Sequence, residues 1–166
     1  MKAATGPGYK SLRRGRASIE NAAYLITTCT SGQNPILADP ANARAVMDGI
    51  RWLRDRDRIF VLGYVVMPDH VHLLMVLRGR HTLQTIIRVW KGFTARQIAS
   101  RKGLSRPIWQ PGYHDHMIRD DKDLHNCLDY LHDNPVRKGL VESPEAYQFS
   151  TANPELAKDV DACWMV

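Results

Sequence analysis

From Arg58 to Leu77 apolar residues run almost without a break, interrupted only around Pro68, Asp69, His70 and His72. "RIFVLGYVVM" reads as a strand, with Gly63 at a bulge. "PDH" makes a tight turn and "VHLLMVL" is the next strand, so the two predict an antiparallel hairpin. Upstream, "NAAYLITTCT" (21–30) is rich in Tyr, Ile and Thr and predicts a strand. After the turn-rich "SGQNPILADP", Ala45, Ile50 and Leu53 recur at helical spacing and predict a helix from Pro40 to Arg56. Downstream, Leu83, Ile86, Ile87, Trp90 and Ile98 predict a second helix from Thr82 to Ser100. "GLSRPIWQPG" is loop, and the alternating "YHDHMIRD" predicts a fourth strand. Leu124, Leu128 and Leu131 predict a third helix. It is expected to stop at Asn134, because the residue before Pro135 is pushed out of the helical region.

The order is strand, helix, strand, strand, helix, strand, helix. The first six elements predict an α+β fold: a ferredoxin-like antiparallel sheet with two helices on one face. The third helix is an addition to that plan. Residues 1–20 are expected to form a basic arm, 21–152 the domain and 153–166 a tail.

A chain of 166 residues suits one domain. No apolar run is long enough to span a membrane, and no secretion signal opens the chain. Three cysteines without C-x-x-C spacing read as free thiols in a reducing compartment. The formal net charge of +6 tilts the partner toward polyanions. The charge is uneven: "KSLRRGR" carries Arg13, Arg14 and Arg16, candidate phosphate contacts by counterion release, though a solvated arm explains them equally.

Candidate chemistry lies at the hairpin and in the third helix. On a strand, residues i and i+2 share a face, so His70 and His72 present two imidazoles side by side, a common metal-binding arrangement. Two backbone-bonded histidines at a strand end are the plain alternative. Tyr130 and Asn134 lie one helical turn apart. Asn134 offers an amide oxygen to a hard cation or, alternatively, caps the helix; Tyr130 is otherwise a half-buried core residue. His114 and His116 share a face opposite Asp115, where they can touch phosphate, orient a ligand or edge the sheet. Asp69 is read as a turn cap and Trp109 as core; Arg137 and Lys138 are candidate phosphate contacts.

"MPDHVHLL", "WQPGYHDHMIRDDKDL" and "YLHDNPVRKGLV", in that order, resemble the REP-associated tyrosine transposases, which belong to the HUH single-strand transposases. The resemblance covers about residues 20–150, closing with "AYQFSTA". It implies that His70 and His72 are paired ligands for Mg²⁺ or Mn²⁺, that Asn134 is the third, amide-bearing ligand, and that Tyr130 is the nucleophile. It further implies a substrate of single-stranded DNA beside palindromic hairpins, cut and rejoined through a 5′-phosphotyrosine, by a monomer or homodimer with no membrane partner, in the bacterial cytoplasm at the nucleoid. Two rivals stand beside it. One is a non-catalytic nucleic-acid-binding module of the same fold, which the lack of aromatics in "HVHLLMVL" disfavours. The other is a metal nuclease that uses water.

Overall fold

In a computed structural model, which describes residues 18–103 and 107–162, seven main elements follow one another. They are β1 (Ala23–Cys29), α1 (Pro40–Asp55), β2 (Ile59–Val66), β3 (His70–Leu77), α2 (Leu83–Lys102), β4 (His114–Met117) and α3 (Asp121–Arg137). The sheet runs in the order β2-β3-β1-β4 with every neighbouring pair antiparallel. This is the expected ferredoxin-like plan. The register of the hairpin slips between Val61 and Gly63, where the sequence placed a bulge. Each helix begins on a side-chain cap: Asp39 accepts from Ala41 N, Thr82 from Thr85 N and Asp120 from Asp123 N. Gly103, at φ +60°, closes α2 in the left-handed conformation that glycine adopts without strain.

Strand alternation divides the core in two. Tyr24, Ile26, Val71, Leu73 and Met75 face α1 and α2, joining Val46, Ile50, Leu53, Ile86 and Trp90. Ala23, Val65, Leu74 and Val76 face the other way and receive Cys127 and Leu131 from α3. The third helix therefore covers the sheet face that the ferredoxin-like plan leaves open. Tyr24 and Tyr64 are fully buried, and Trp109 is core, its Nε1 donating to Thr94 Oγ1 at 3.0 Å.

Two expectations are corrected. Pro135 does not end α3, which continues through it to Arg137. In the last turn the missing N–H forfeits one hydrogen bond, and Lys138 N→Asn134 O and Leu140 N→Pro135 O close the helix beyond it. Asn134 is consequently a buried residue inside the helix rather than its cap, which is Lys138. The strand expected over 113–120 is also shorter, ending at Met117 before the Asp120 cap.

The chain after α3 folds back onto β2, which would otherwise be a bare sheet edge. Val66 N donates to Phe149 O and Thr151 N to Tyr64 O. Further on, Asp161 accepts from Val61 N, and Asp159 is held by Arg51 and Tyr64. No helix of the described residues is long and apolar enough to cross a membrane.

Candidate active site

β3 carries its residues alternately to the two cores. His70 and His72 therefore lie on the side of Leu74 and Val76, facing α3. Their rings meet edge to face, with centroids 4.9 Å apart. The register sets Thr27 of β1 opposite His72, and Thr27 Oγ1 lies 2.8 Å from His72 Nδ1. His70 Nδ1 lies 2.6 Å from Asp69 Oδ1. Both Nδ1 atoms are thus engaged, which leaves both Nε2 atoms for a shared ligand. Burial, with His70 alongside, lowers the His72 pKa to about 4, so this imidazole is neutral near pH 7, as a metal ligand must be.

α3 crosses above this pair. Leu131 and Cys127 anchor it on the sheet, and the same docking brings Tyr130 to His72, ring centroids 5.4 Å apart at 70°. Tyr130 is 43% exposed, so the phenol is open to a large substrate. Asn134, one turn on, is buried. The guanidinium of Arg137 sits 5.2 Å from the centre of the Tyr130 ring, within cation–π range. The helix thus carries a phenol, an amide and a guanidinium one and two turns apart, with the phenol ring against His72.

The donor set fits a divalent cation. Two imidazole nitrogens and an amide oxygen would make half of an octahedral shell and leave positions for water and phosphate oxygen. Zinc in a closed structural site would instead call for four ligands with thiolates among them.

The description "Transposase IS200 like" belongs to the family model that matches residues 18–134. The chain belongs to the IS200-like transposase family. Within that family it is similar to the REP-associated tyrosine transposase of Escherichia coli (strain K12), 34% identical over 105 residues. That alignment covers 62% of this chain and 61% of the relative, so the chain spans about three fifths of its length. The ISDra2 transposase TnpA of Deinococcus radiodurans is 24% identical over 108 residues, covering 61% of this chain and 76% of that protein. A solved structure of a REP-associated tyrosine transposase bound to a REP hairpin matches with a TM-score of 0.70 at 24% identity, covering 88% of this chain and 86% of that one. At that identity the likeness speaks for the fold.

Other predicted residues of this IS200-like chain fall in different places. His114 pairs with Thr27 across β1 and is exposed on the imidazole side of the sheet. His116, paired with Leu25, is held by Asp123 at 2.9 Å. Lys138 ends α3 beside Arg137. Arg13, Arg14 and Arg16 lie outside the described residues. Tyr113 packs against the core on the α1 and α2 side of the sheet, away from the histidine pair. Sequence reasoning missed the orienting roles of Thr27 and Asp69. Asp69, expected as a turn cap, instead turns its carboxylate to His70. An acidic residue directly before the first histidine was the available signal; for Thr27, only the strand register gives it.

Proposed function

We propose that this chain is a divalent-metal-dependent single-stranded DNA transesterase, a transposase that cuts and rejoins DNA beside palindromic hairpins through a 5′-phosphotyrosine on Tyr130. The observation that carries the reading is the placement of Tyr130 against His72 while the Nε2 atoms of His70 and His72 are both left free. Family membership supports the reaction class, and the REP hairpin bound to the structurally similar transposase supports the substrate class. A net charge of +6 suits a substrate gripped mainly through phosphates.

His70, His72 and Asn134 would hold Mg²⁺ or Mn²⁺, which supplies neutralisation of the phosphate charge and polarisation of phosphorus. Of the two, Mn²⁺ suits imidazole ligands better. Asp69 and Thr27 fix the two imidazole rings. The Tyr130 oxygen attacks phosphorus; the Tyr130 O–P bond forms as the P–O3′ bond breaks. The phenol proton passes to solvent, and the departing oxygen takes up a proton to become a free 3′-hydroxyl. The ester conserves the energy of the broken bond, so attack by a 3′-hydroxyl reverses the step without ATP. The guanidinium of Arg137, above the Tyr130 ring, lies where a phosphate must approach.

The test is incubation of the full chain and Mn²⁺ with single-stranded hairpin DNA from the gene's own flanks, resolved on a denaturing gel. A covalent protein–DNA adduct is expected. Tyr130→Phe and EDTA should abolish both adduct and cleavage, and Tyr113→Phe should preserve them. Cleavage by Tyr130→Phe without an adduct would establish a water-using nuclease instead. Hairpin binding without any metal-dependent cleavage would establish a binding module.

A further inference from the structure

One cluster of ligating side chains plays no part in the chemistry above. His116 of β4 and Asp123 and Cys127 of α3 hold their donor atoms within 4.8 Å of one another, the one such group of three His, Cys, Asp or Glu among the described residues. His116 Nε2 lies 2.9 and 3.0 Å from the two Asp123 oxygens, and Cys127 Sγ lies 3.9 Å from Asp123 Oδ1. We propose that these three side chains form a second metal site, selective for Zn²⁺, that staples the tyrosine-bearing helix to the edge strand of the sheet.

The geometry is close to what zinc requires. With bonds of roughly 2.0–2.3 Å, tetrahedral donors stand about 3.3–3.8 Å apart. The observed separations bracket that range, so small side-chain rotations suffice. Asp123 and Cys127 lie one helical turn apart on the same face of α3, and the β1–β4 register directs His116 toward them. The carboxylate is already oriented from behind, because Arg119 N donates to Asp123 Oδ2 at 3.0 Å. Cys127 is buried and the Asp123 side chain is 15% exposed, while that of His116 is 42% exposed. The site therefore has a closed inner side and an open outer one, where water completes the fourth position.

The chemistry separates this site from the first. A soft thiolate beside an imidazole and a carboxylate selects Zn²⁺ over Mg²⁺, and that sulfur ligand is what two imidazoles and an amide lack. On binding, Zn²⁺ takes the place of the His116 Nε2–Asp123 hydrogen bond, the imidazole N–H then residing on Nδ1, and the thiol proton of Cys127 goes to solvent. Cys127 precedes Asn134 by seven residues, so the two sites stand about 10 Å apart along α3. Zinc at the first turns of the helix would tie its N-terminal half to β4, leaving the Tyr130 turn free. The proposal does not depend on the DNA chemistry.

Co²⁺, which reports thiolate ligation by a near-ultraviolet charge-transfer band, is the probe. The reduced full chain titrated with Co²⁺ should develop that band, Zn²⁺ should bleach it, and excess Mg²⁺ should leave it. Cys127→Ser should abolish it, and His116→Ala or Asp123→Asn should weaken Co²⁺ binding more than about tenfold. The band should survive in Cys29→Ser/Cys163→Ser and in His70→Ala/His72→Ala. Zn²⁺ should raise the Tm of the wild type and not of Cys127→Ser or His116→Ala, which covers the case where one variant folds poorly. A band that is absent, persists in Cys127→Ser, or disappears in His70→Ala/His72→Ala overturns the proposal.

Discussion

His70 Nδ1 lies 2.6 Å from Oδ1 of Asp69, its immediate neighbour in the chain. The contact fixes the ring and leaves Nε2 for the metal proposed above, an arrangement in which the carboxylate holds the ligand's orientation. Asp69→Ala should therefore lower the Mn²⁺ affinity read from cleavage by roughly 10–100-fold. The fold should be retained, because the Asp69 backbone carbonyl still accepts from Thr30 N and Thr30 Oγ1. Unaltered Mn²⁺ dependence in Asp69→Ala would show that the carboxylate is idle.

Arg137 lies seven residues after Tyr130, two turns along α3, with its guanidinium over the Tyr130 ring. An exposed cation–π contact is worth about 0.5–1 kcal/mol. Arg137→Ala should slow single-turnover adduct formation by about tenfold or more through loss of the guanidinium's pairing with the phosphate under attack, since only a contact stronger in the transition state changes the rate. Arg137→Lys should recover only part, since a lysine cannot form the planar fork. Stability should fall by no more than the worth of the cation–π contact, about 0.5–1 kcal/mol. Equal rates in all three proteins would remove Arg137 from the site.

Much of this arrangement is legible in the sequence because it rests on local signals. The alternation of "HVHLLMVL" places both histidines on one face, and the i, i+4 spacing places Tyr130 and Asn134 on one side of a helix. The bulge at Gly63 follows from a glycine inside a strand. What stays hidden depends on long-range register or context. Thr27 reaches His72 only because β1 pairs with β3 in one register. The local bias before Pro135 is real, but docking of Leu131 and closing bonds beyond the proline override it. The return of Phe149–Thr151 along β2 has no local signature, because its carbonyls and amides pair with an edge far earlier in the chain, at Tyr64 and Val66.

Gly49 sits in α1, where glycine costs about 0.8–1.0 kcal/mol relative to alanine. A methyl there would stand 2.8 Å from Trp90 Cδ1, 2.9 Å from Trp90 Nε1 and 2.8 Å from Thr94 Cγ2. Trp90 cannot yield easily, being fully buried with Nε1 donating to Val46 O. Overpacking of this kind costs about 1–3 kcal/mol, more than the propensity gain. Gly49→Ala should lower stability by up to about 2 kcal/mol in urea denaturation, the difference of those two effects. A stabilised variant would mean that α1 and α2 separate without penalty.

Asp159 ties the end of the chain to the core. Its carboxylate accepts from Arg51 Nε at 2.9 Å and from the buried Tyr64 hydroxyl at 2.6 Å. Burial alone would raise the Asp159 pKa, but the hydrogen bonds from Arg51 and Tyr64 outweigh it and hold the carboxyl below the ordinary range. Burial, reinforced by the same carboxylate, pushes the Tyr64 phenol far up, so it stays a donor at any ordinary pH. The consequence for stability has a definite sign. At neutral pH the carboxylate is ionised in both folded and unfolded chains, and its stabilisation is fully present. As pH falls through about 4, the unfolded carboxyl takes up a proton before the folded one, and the contribution is progressively lost. Asp159→Asn keeps the shape but removes the charge, leaving Arg51 with only its partner Asp48. Losing a charged hydrogen-bond acceptor of this kind costs about 1–3 kcal/mol at pH 7. Tm measured from pH 7 down to pH 3 should fall more steeply in the wild type than in Asp159→Asn, so that the two curves converge at the acid end. Parallel curves would show that Asp159 makes no pH-dependent contribution to stability.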